Sequence, residues 1–356
     1  MSGTSVYAGV SDRMETAMSL PPTAFLDKAV FEAETDRIFR RQWMPVARVE
    51  QLAEAGDFLT VDLAGVPLVV SRDEEDALHA LSRVCRHRAM PVAQGEGNAK
   101  AFTCPCHLWR YGLDGRLLSA PAMEQSDAFD RGKCGLPSFP VDVWQGFVFV
   151  NLDEGAAPLA EHMAGLDALV ARDGLGDMRI VSSLTFPSPW NWKVLVENFI
   201  ESYHHIGPHA ESLQHSNPAF GTYVPELPDG TSFTALENPP VEGADPFSVY
   251  VGFPAFLLVV LRGETVSAVW YRLDIRDEAS FDLTIHILMK EPKASDADLV
   301  TGTAEVLRHI HLEDIAVCDG VQAGLSSPAA APGPLSHLER GLWHFHRYLK
   351  RMTGDG

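Results

Sequence analysis

Two short cysteine–histidine pairs constrain this chain more than any other feature of its sequence. Cys85 and His87 are separated by one residue, and Cys104 and His107 follow after a loop. Each pair offers a thiolate and an imidazole just after a segment that we predict to be a β-strand. A two-iron, two-sulfur cluster in which two cysteines hold one iron and two histidines hold the other needs this combination. The sequence therefore predicts such a cluster at the tips of two neighbouring β-loops.

Zinc is the alternative metal for these four residues, because cysteine and histidine at short spacings also hold zinc. Cys-x-His is tighter than the usual zinc knuckle, however, and four ligands in two half-sites argue against chance. In a reducing compartment the remaining cysteines rarely form disulfides. Cys106 is a competing ligand that we expect to pack beside the cluster, and we interpret Cys134 and Cys318 as core residues.

A second group of metal ligands is predicted around His204 and His209, which are five residues apart. A regular helix would place these two on different sides, and we predict a helix from Trp190 to His205. Gly207-Pro208 breaks the helix, so that His209 can return to the same metal ion. Two histidines and one carboxylate on one face of a non-haem iron(II) leave positions open for dioxygen.

Asp314 is the best candidate for the missing carboxylate. It lies in the middle of a predicted helix among apolar neighbours, where burial of an unpaired carboxylate would be costly unless a metal compensated it. Glu313 and Asp319 are the competitors, and His205 would replace a histidine ligand if the turn were shifted. An amphipathic helix with solvated acids is the structural alternative.

The length of 356 residues favours two domains. Short strands separated by turns, beginning with a hairpin from Asp57 to Ser71, predict an all-β domain over residues 44–153. Residues 1–43 and 154–356 then form the second domain, in which several strands accompany a long helix from Ala294 to Leu325.

Charge and hydropathy exclude other classes of protein. The formal net charge of −20 argues against a nucleic-acid partner, which needs clustered Lys and Arg. The most apolar stretch, Val249 to Leu261, contains Gly252 and Pro254 and is too short to span a bilayer. The first twenty residues lack a basic patch followed by an apolar run, so we expect no signal peptide, a cytoplasmic location and no membrane partner.

Both motifs resemble those of the large (alpha) terminal subunits of Rieske non-haem iron oxygenases, which include ring-hydroxylating dioxygenases and choline- and carnitine-monooxygenase-like enzymes. The first is CRHRAMPV…CPCHLWRYGLDGRL, similar to the family's Cys-x-His-Arg and Cys-Pro-Tyr-His-Gly-Trp. The second is Glu-Asn-Phe-x-Glu-x-Tyr-His-x4-His, and the resemblance runs along nearly the whole chain. Two residues depart from the pattern: Cys106 occupies the place of an aromatic residue, and Leu108 that of a glycine.

The resemblance implies an α+β protein with an all-β Rieske domain and a helix-grip (START-like) α+β catalytic domain. It implies that Cys85 and Cys104 bind one iron of a Rieske-type [2Fe-2S] cluster, and that His87 and His107 bind the other. It also assigns the ligands of a mononuclear Fe(II), which are His204, His209 and Asp314. Glu201 matches the family's bridging acid, between His204 of its own subunit and a cluster histidine of the next. Asn198 is expected to hydrogen-bond near the metal.

The function implied is that of the terminal oxygenase in a multicomponent system that uses O2 to hydroxylate a small organic substrate. The chain lacks a Gly-x-Gly-x-x-Gly loop, so electrons are expected from a separate NAD(P)H-dependent reductase, directly or through a ferredoxin. The family forms homotrimers, and we expect one here.

The length of the chain and the region from Glu313 to Ser327 look more like members acting on N-methyl or quaternary amines by oxidative N-demethylation. Aromatic ring hydroxylation or dihydroxylation is the alternative. A Rieske electron carrier without oxygenase activity is a third interpretation, but it would not need a second ligand set.

Overall fold

A computed structural model describes residues 6–264 and 266–354 of the chain. The chain forms two compact units, of which one comprises Arg40–Leu159. The other combines the described residues before Arg40 with those after Leu159. The predicted boundary residues 44 and 153 both lie inside the first unit.

The unit Arg40–Leu159 is built from short strands in three antiparallel sheets, with the orders β1-β11-β10, β5-β2-β3-β4-β9 and β6-β7-β8. The strands are β1 Met44–Arg48, β2 Asp57–Leu63, β3 Val66–Arg72, β4 Leu78–Ser82, β5 Glu96–Asn98, β6 Phe102–Thr103, β7 Arg110–Tyr111, β8 Leu117–Ser119, β9 Ser138–Phe139, β10 Val141–Trp144 and β11 Phe147–Val150.

The hairpin β2–β3 is present where alternation of apolar and polar residues predicts it. Its two turn residues, Ala64 and Gly65, have φ angles of 49° and 78°. Positive φ at both central residues gives the turn a twist that matches the flanking strands. The hairpin buries Leu68, Val69 and Val70, and Val69 belongs to the apolar core that also contains the two predicted cysteine ligands.

The second unit contains one six-stranded antiparallel sheet in the order β12-β17-β16-β15-β14-β13. Its strands are β12 Arg179–Ser188, β13 Phe233–Asn238, β14 Phe247–Gly252, β15 Phe256–Arg262, β16 Val266–Asp277 and β17 Ser280–Met289. The helices of the chain are α1 Thr23–Leu26, α2 Lys28–Glu34, α3 Leu159–Val170, α4 Trp192–Phe199, α5 Leu213–Ser216, α6 Ala297–Leu325 and α7 Arg340–Thr353. Within the described ranges, none of them has the length and apolar character that a membrane span requires. The predicted α+β class is confirmed.

Helix α6 is the long helix that the sequence predicts, and it packs against β12 and α4. It begins after Asp296, whose side chain accepts a hydrogen bond from the backbone N–H of Leu299 at 3.0 Å. Four residues of one stripe are buried, and their helical spacing directs them to the same face. They are Leu307, His311, Asp314 and Cys318. The helix therefore carries Asp314 into the interior.

Helix α4 is shorter than the sequence predicts, because it ends at Phe199 and not at His205. Asn191 caps its N-terminus, and the Asn191 side chain accepts a hydrogen bond from the backbone N–H of Lys193 at 2.9 Å. After it, the Glu201 carboxylate accepts from the backbone N–H groups of Tyr203 and His204. Such local side-chain bonds compete with helical ones, and a 3₁₀ turn over Tyr203–Ile206 replaces the last predicted turn.

A buried ion pair joins α2 to α4. The Lys193 ammonium lies 2.7 and 2.9 Å from the two carboxylate oxygens of Glu34, and both side chains are fully buried. Burial lowers the pKa of Lys193, and the Glu34 charge opposes that shift. Tyr7 and Trp192 also donate hydrogen bonds to Glu34. Four polar groups thereby share one site, which fixes the start of the helix that leads to His204.

Candidate functional site

The two predicted half-sites of the cluster have the same loop conformation. The backbone N–H of Cys85 donates to the Met90 carbonyl, and that of Cys104 donates to the Trp109 carbonyl. One residue in each loop has a left-handed backbone, Ala89 with φ 57° and Leu108 with φ 58°. The family's usual glycine at the position of Leu108 thus has a physical reason, since glycine adopts this conformation without strain.

Both loops present cysteine inward and histidine outward. Cys85 and Cys104 are buried, whereas His87 and His107 are exposed, with ring centroids 4.6 Å apart. The Tyr111 hydroxyl lies 3.2 Å from Cys85 Sγ. Burial raises the pKa of the Cys85 thiol, but the hydrogen bonds from Tyr111 and from the backbone of His87 outweigh it, so that the net pKa is lowered. A thiolate is the form that binds metal, and two thiols beside two imidazoles fit a Rieske cluster.

Cys106 lies beside a predicted cluster ligand, but at the surface. It is exposed, and its Sγ lies 3.9 Å from His107 Nε2 and 3.5 Å from an Arg88 guanidinium nitrogen. The expected place beside the cluster ligands is observed without the expected packing, because residues 105–108 lie on the outer side of the loop. Cys318 is buried on α6 as expected. Cys134 is partly buried against the core that contains Cys85 and Cys104.

The structure brings together the three residues predicted to hold the mononuclear iron. Single ligand atoms from His204, His209 and Asp314 all lie within 4.8 Å of one another. Asp314 Oδ1 is 3.0 Å from His209 Nε2 and 3.6 Å from His204 Nε2. Both histidines therefore direct Nε2 toward the carboxylate.

A carboxylate holds the other nitrogen of each of these histidines. Glu201 lies 2.6 Å from Nδ1 of His204, and Glu313 lies 2.7 Å from Nδ1 of His209. Such partners fix the ring orientation and leave Nε2 free to bind metal. Sequence reasoning proposed the role of Glu201 for His204 but considered Glu313 only as a competing ligand. The position of Glu313 next to Asp314 in the sequence was the signal that could have indicated its role as the partner of His209 Nδ1.

Asp314 is held as an anion. Burial raises its pKa, but hydrogen bonding to His209 and the charges of the two histidines outweigh this effect, and the net pKa is lowered. The side-chain amide of Asn198 donates a hydrogen bond to Asp314 Oδ1 at 2.9 Å. In the described part of the chain, no Lys or Arg forms an ion pair with Asp314. Two imidazoles and an unneutralised carboxylate are a donor set that fits Fe(II).

Neither His205 nor Asp319 belongs to the group of three converging ligand atoms. His205 is buried, and its Nδ1 bonds to the Asn217 carbonyl at 3.1 Å. Burial, assisted by the His204 charge, lowers the pKa of His205 to about 4, so that it is neutral. Asp319 is exposed on α6.

A cavity of about 110 Å³ lies beside the three grouped residues. Apolar side chains from the sheet and from α4 and α6 form most of its wall, and three aromatic residues contribute to it. The aromatic residues are Phe199, Phe247 and Tyr271. Since an apolar cavity of about 150 Å³ accommodates benzene, this space suits a small substrate.

Two family models match separate parts of the chain. Residues 42–140 match the Rieske [2Fe-2S] domain, and residues 175–355 match the catalytic domain of the ring-hydroxylating alpha subunit. The second match alone spans half of the chain. The two ranges include the predicted cluster ligands and the predicted mononuclear iron ligands, respectively.

Similar proteins align over almost the whole length. The carnitine monooxygenase oxygenase subunit of Escherichia coli (strain K12) is 29% identical over 96% of this chain and 95% of its own. The chloroplastic choline monooxygenase of Amaranthus tricolor is 28% identical over 94% of this chain and 78% of its own.

Solved structures give the same picture of the fold. The quaternary ammonium Rieske monooxygenase CntA superimposes with a TM-score of 0.85 at 25% identity, over 96% of this chain and 97% of its own. Naphthalene 1,2-dioxygenase from Rhodococcus sp. has a TM-score of 0.79 at 18% identity, with 94% of each chain covered, and shares the fold.

Proposed function

This chain belongs to the family of ring-hydroxylating oxygenase alpha subunits, and from that premise we propose that it oxidises an N-methyl group of a small quaternary or N-methyl amine. The family predicted from the two motifs is confirmed, as is the class of oxidoreductase. The two domains are those that carry a Rieske [2Fe-2S] cluster and a mononuclear iron. When bound, the cluster supplies electrons singly and the iron supplies the activation of dioxygen.

The observation that carries the proposal is the position of His204, His209 and Asp314 beside a small cavity with aromatic walls. Aromatic faces attract quaternary ammonium groups. The aligned relatives named for choline and carnitine act on molecules that contain such a group. The volume of about 110 Å³ favours them over polycyclic hydrocarbons.

The residues of the chain have separate roles in this reaction. His204, His209 and Asp314 would hold the iron, while Glu201 and Glu313 keep the two imidazoles oriented. Asn198 donates to Asp314 and restrains its carboxylate. The apolar wall excludes water and positions the methyl group, which is the contribution that a protein makes to cofactor chemistry.

The overall reaction consumes one O2, two electrons and two protons. One oxygen atom replaces a C–H bond of the N-methyl group by C–OH, and the other leaves as water. The hydroxymethyl product then breaks its C–N bond and loses its hydroxyl proton, which gives formaldehyde and the demethylated amine. The electron pair of the C–N bond stays on nitrogen, and the proton goes to solvent from a quaternary ammonium or to the nitrogen of a tertiary amine. Formaldehyde is therefore the product that distinguishes N-demethylation from ring hydroxylation.

Alpha subunits of this kind work in multicomponent systems that need a reductase. We further propose a homotrimer, supplied through a ferredoxin or directly, in which the cluster of one copy approaches Glu201 of the next. Support comes from the exposed histidines His87 and His107 beside Leu108, an apolar side chain that is 61% exposed. Near Glu201, Tyr203 and Ile206 are exposed apolar residues that a second copy would cover.

Single-turnover chemistry tests the function without the unidentified reductase. The iron-loaded protein is reduced with dithionite, freed of reductant and mixed with O2 and one compound from a panel of methylammonium compounds and aromatic acids. We expect stoichiometric formaldehyde from a methylammonium compound, and a hydroxylated aromatic acid instead would refute the proposal.

Light scattering measures the mass of the assembly and so tests the trimer. Glu201→Gln should keep both metal centres yet slow the reoxidation of the cluster. A monomer with full turnover would contradict the ring.

A further inference from the structure

The cavity beside His204 and His209 contains no positively charged side chain among the described residues that line it. Its ionisable groups are two carboxylates, Glu201 and Asp314, a tyrosine, Tyr271, and three histidines. The rest of the wall is largely aliphatic or aromatic. A ligand carboxylate inside it would find no Lys or Arg to pair with.

The arginines that follow cavity residues in sequence are engaged elsewhere. Arg262 follows Leu261, and successive residues of a strand point to opposite faces. Its guanidinium lies 2.9 and 2.8 Å from the carboxylate oxygens of Asp173. Arg308 follows Leu307 and lies over the ring of Phe186, 5.7 Å from its centroid. Arg272 follows Tyr271, and its guanidinium lies 2.8 Å from a carboxylate oxygen of Asp274. None of the three is among the described residues that line the cavity.

A second, outer cavity shares Leu213 and Ile310 with the first. It lies between α5 and α6, and its other described lining residues are Ser212, Ser216, Glu305, Val306 and His309. None of its described lining residues is Lys or Arg, and the exposed carboxylate of Glu305 gives this cavity a negative charge. The formal net charge of −20 acts in the same direction, since it attracts cations and repels anions.

We infer that the two cavities select a small cation without a carboxylate and reject zwitterions that carry one. The inference rests on the proposed function and divides its substrate class into amino alcohols or simple alkylammonium ions on one side and betaines or carnitine-like acids on the other. A cation gains from the faces of Phe199, Phe247 and Tyr271. A carboxylate would be desolvated without a Lys or Arg partner from the described wall, and the Glu201 carboxylate would repel it; a site rejects a competitor in this way.

Choline and glycine betaine form the matched pair that tests this selection, because both carry a trimethylammonium group and they differ only in CH2OH against a carboxylate. Their binding to the iron-loaded protein is measured anaerobically by isothermal titration calorimetry. We expect choline to bind at least about tenfold more tightly, as expected for an unpaired buried charge. Equal binding, or tighter binding of glycine betaine, would overturn the inference.

Formaldehyde release is measured separately on the same pair. Turnover of both compounds at equal kcat/KM would leave the N-demethylase function standing and sink the charge selection. Tight choline binding without formaldehyde would support the selection and count against the proposed function.

Glu305→Lys tests the outer cavity, with Asp298→Lys as a control that makes the same charge change at another exposed position of α6. We expect Glu305→Lys to weaken choline binding about threefold or more at low salt, and less at high salt as the charge is screened. The control variant Asp298→Lys should weaken choline binding much less. Equal effects of the two variants would show that Glu305 has no special place in the path of the cation.

Discussion

Glu313 offers the sharpest test of how the iron site is held. Its carboxylate lies 2.7 Å from His209 Nδ1 and accepts a second hydrogen bond from Ser212 Oγ, also at 2.7 Å. Glu313→Gln keeps the size of the side chain and removes its charge. The interaction then falls from a charge-assisted hydrogen bond, worth about 1.5–3 kcal/mol, to a neutral one, worth about 0.5–1.5 kcal/mol.

The difference of about 1–1.5 kcal/mol corresponds to roughly a tenfold weaker affinity for Fe(II). Glu313→Ala leaves Nδ1 without this partner, and its effect should approach the upper end of the 10–100-fold range known for such residues. The assay is anaerobic competition for Fe(II) with a chelator, with the visible absorption of the cluster recorded in parallel. Asp319→Asn, which changes an exposed acid on the same helix, serves as the control.

Unchanged Fe(II) affinity in Glu313→Gln would refute this reasoning, because the contact between Glu313 and His209 would then not contribute to iron binding. Loss of the cluster absorption together with the iron would indicate misfolding, and the result would then not support a role of Glu313 in iron binding. Loss of iron in the Asp319→Asn control would transfer the role to Asp319.

Three further outcomes follow from contacts described above. Asp314→Ala should abolish turnover and lose the mononuclear iron while the cluster absorption stays; normal turnover would make Glu313 or Asp319 the ligand. Tyr111→Phe removes the hydroxyl 3.2 Å from Cys85 Sγ and should lower the reduction potential of the cluster. The shift should be at most roughly 120 mV, because a hydrogen bond worth about 1.5–3 kcal/mol changes the potential only by the part of its energy that differs between the two oxidation states; an unchanged potential in voltammetry would contradict it. Lys193→Met leaves Glu34 buried without its cation and should cost about 3–5 kcal/mol of unfolding free energy in urea. Lys28→Met, at an exposed pair with Glu32, should cost less than about 1 kcal/mol, and equal costs would show that burial is irrelevant.

Much of the predicted arrangement came from local signals. Cys85 and His87 share one turn, so their spacing alone indicates a metal half-site. The hairpin β2–β3 follows from alternation and from Ala64-Gly65. Asp314 could be singled out because apolar neighbours make an unpaired carboxylate there costly.

The remaining features depend on contacts between distant residues or on competing local bonds. Glu313 meets His209 across 104 residues, so its role depends on which face α6 turns to the site. Helix α4 ends at Phe199 because the Glu201 carboxylate accepts hydrogen bonds from backbone N–H groups. The spacing of apolar residues, from which the helix was predicted, contains no information about such bonds. Cys106 points outward because residues 105–108, between the buried Cys104 and the buried Trp109, are exposed.

Helix α6 carries both the wall of the cavity and the carboxylate ligand. Leu307 and Ile310 contact the space where substrate would sit, and Glu313 and Asp314 hold the two nitrogens of His209 from the next turn. The side chains that would touch substrate and the carboxylate ligand are therefore parts of one continuous helix, and Asp314 itself lines the cavity. A change in the packing of Leu307 or Ile310 would act on the same element that holds the ligand geometry.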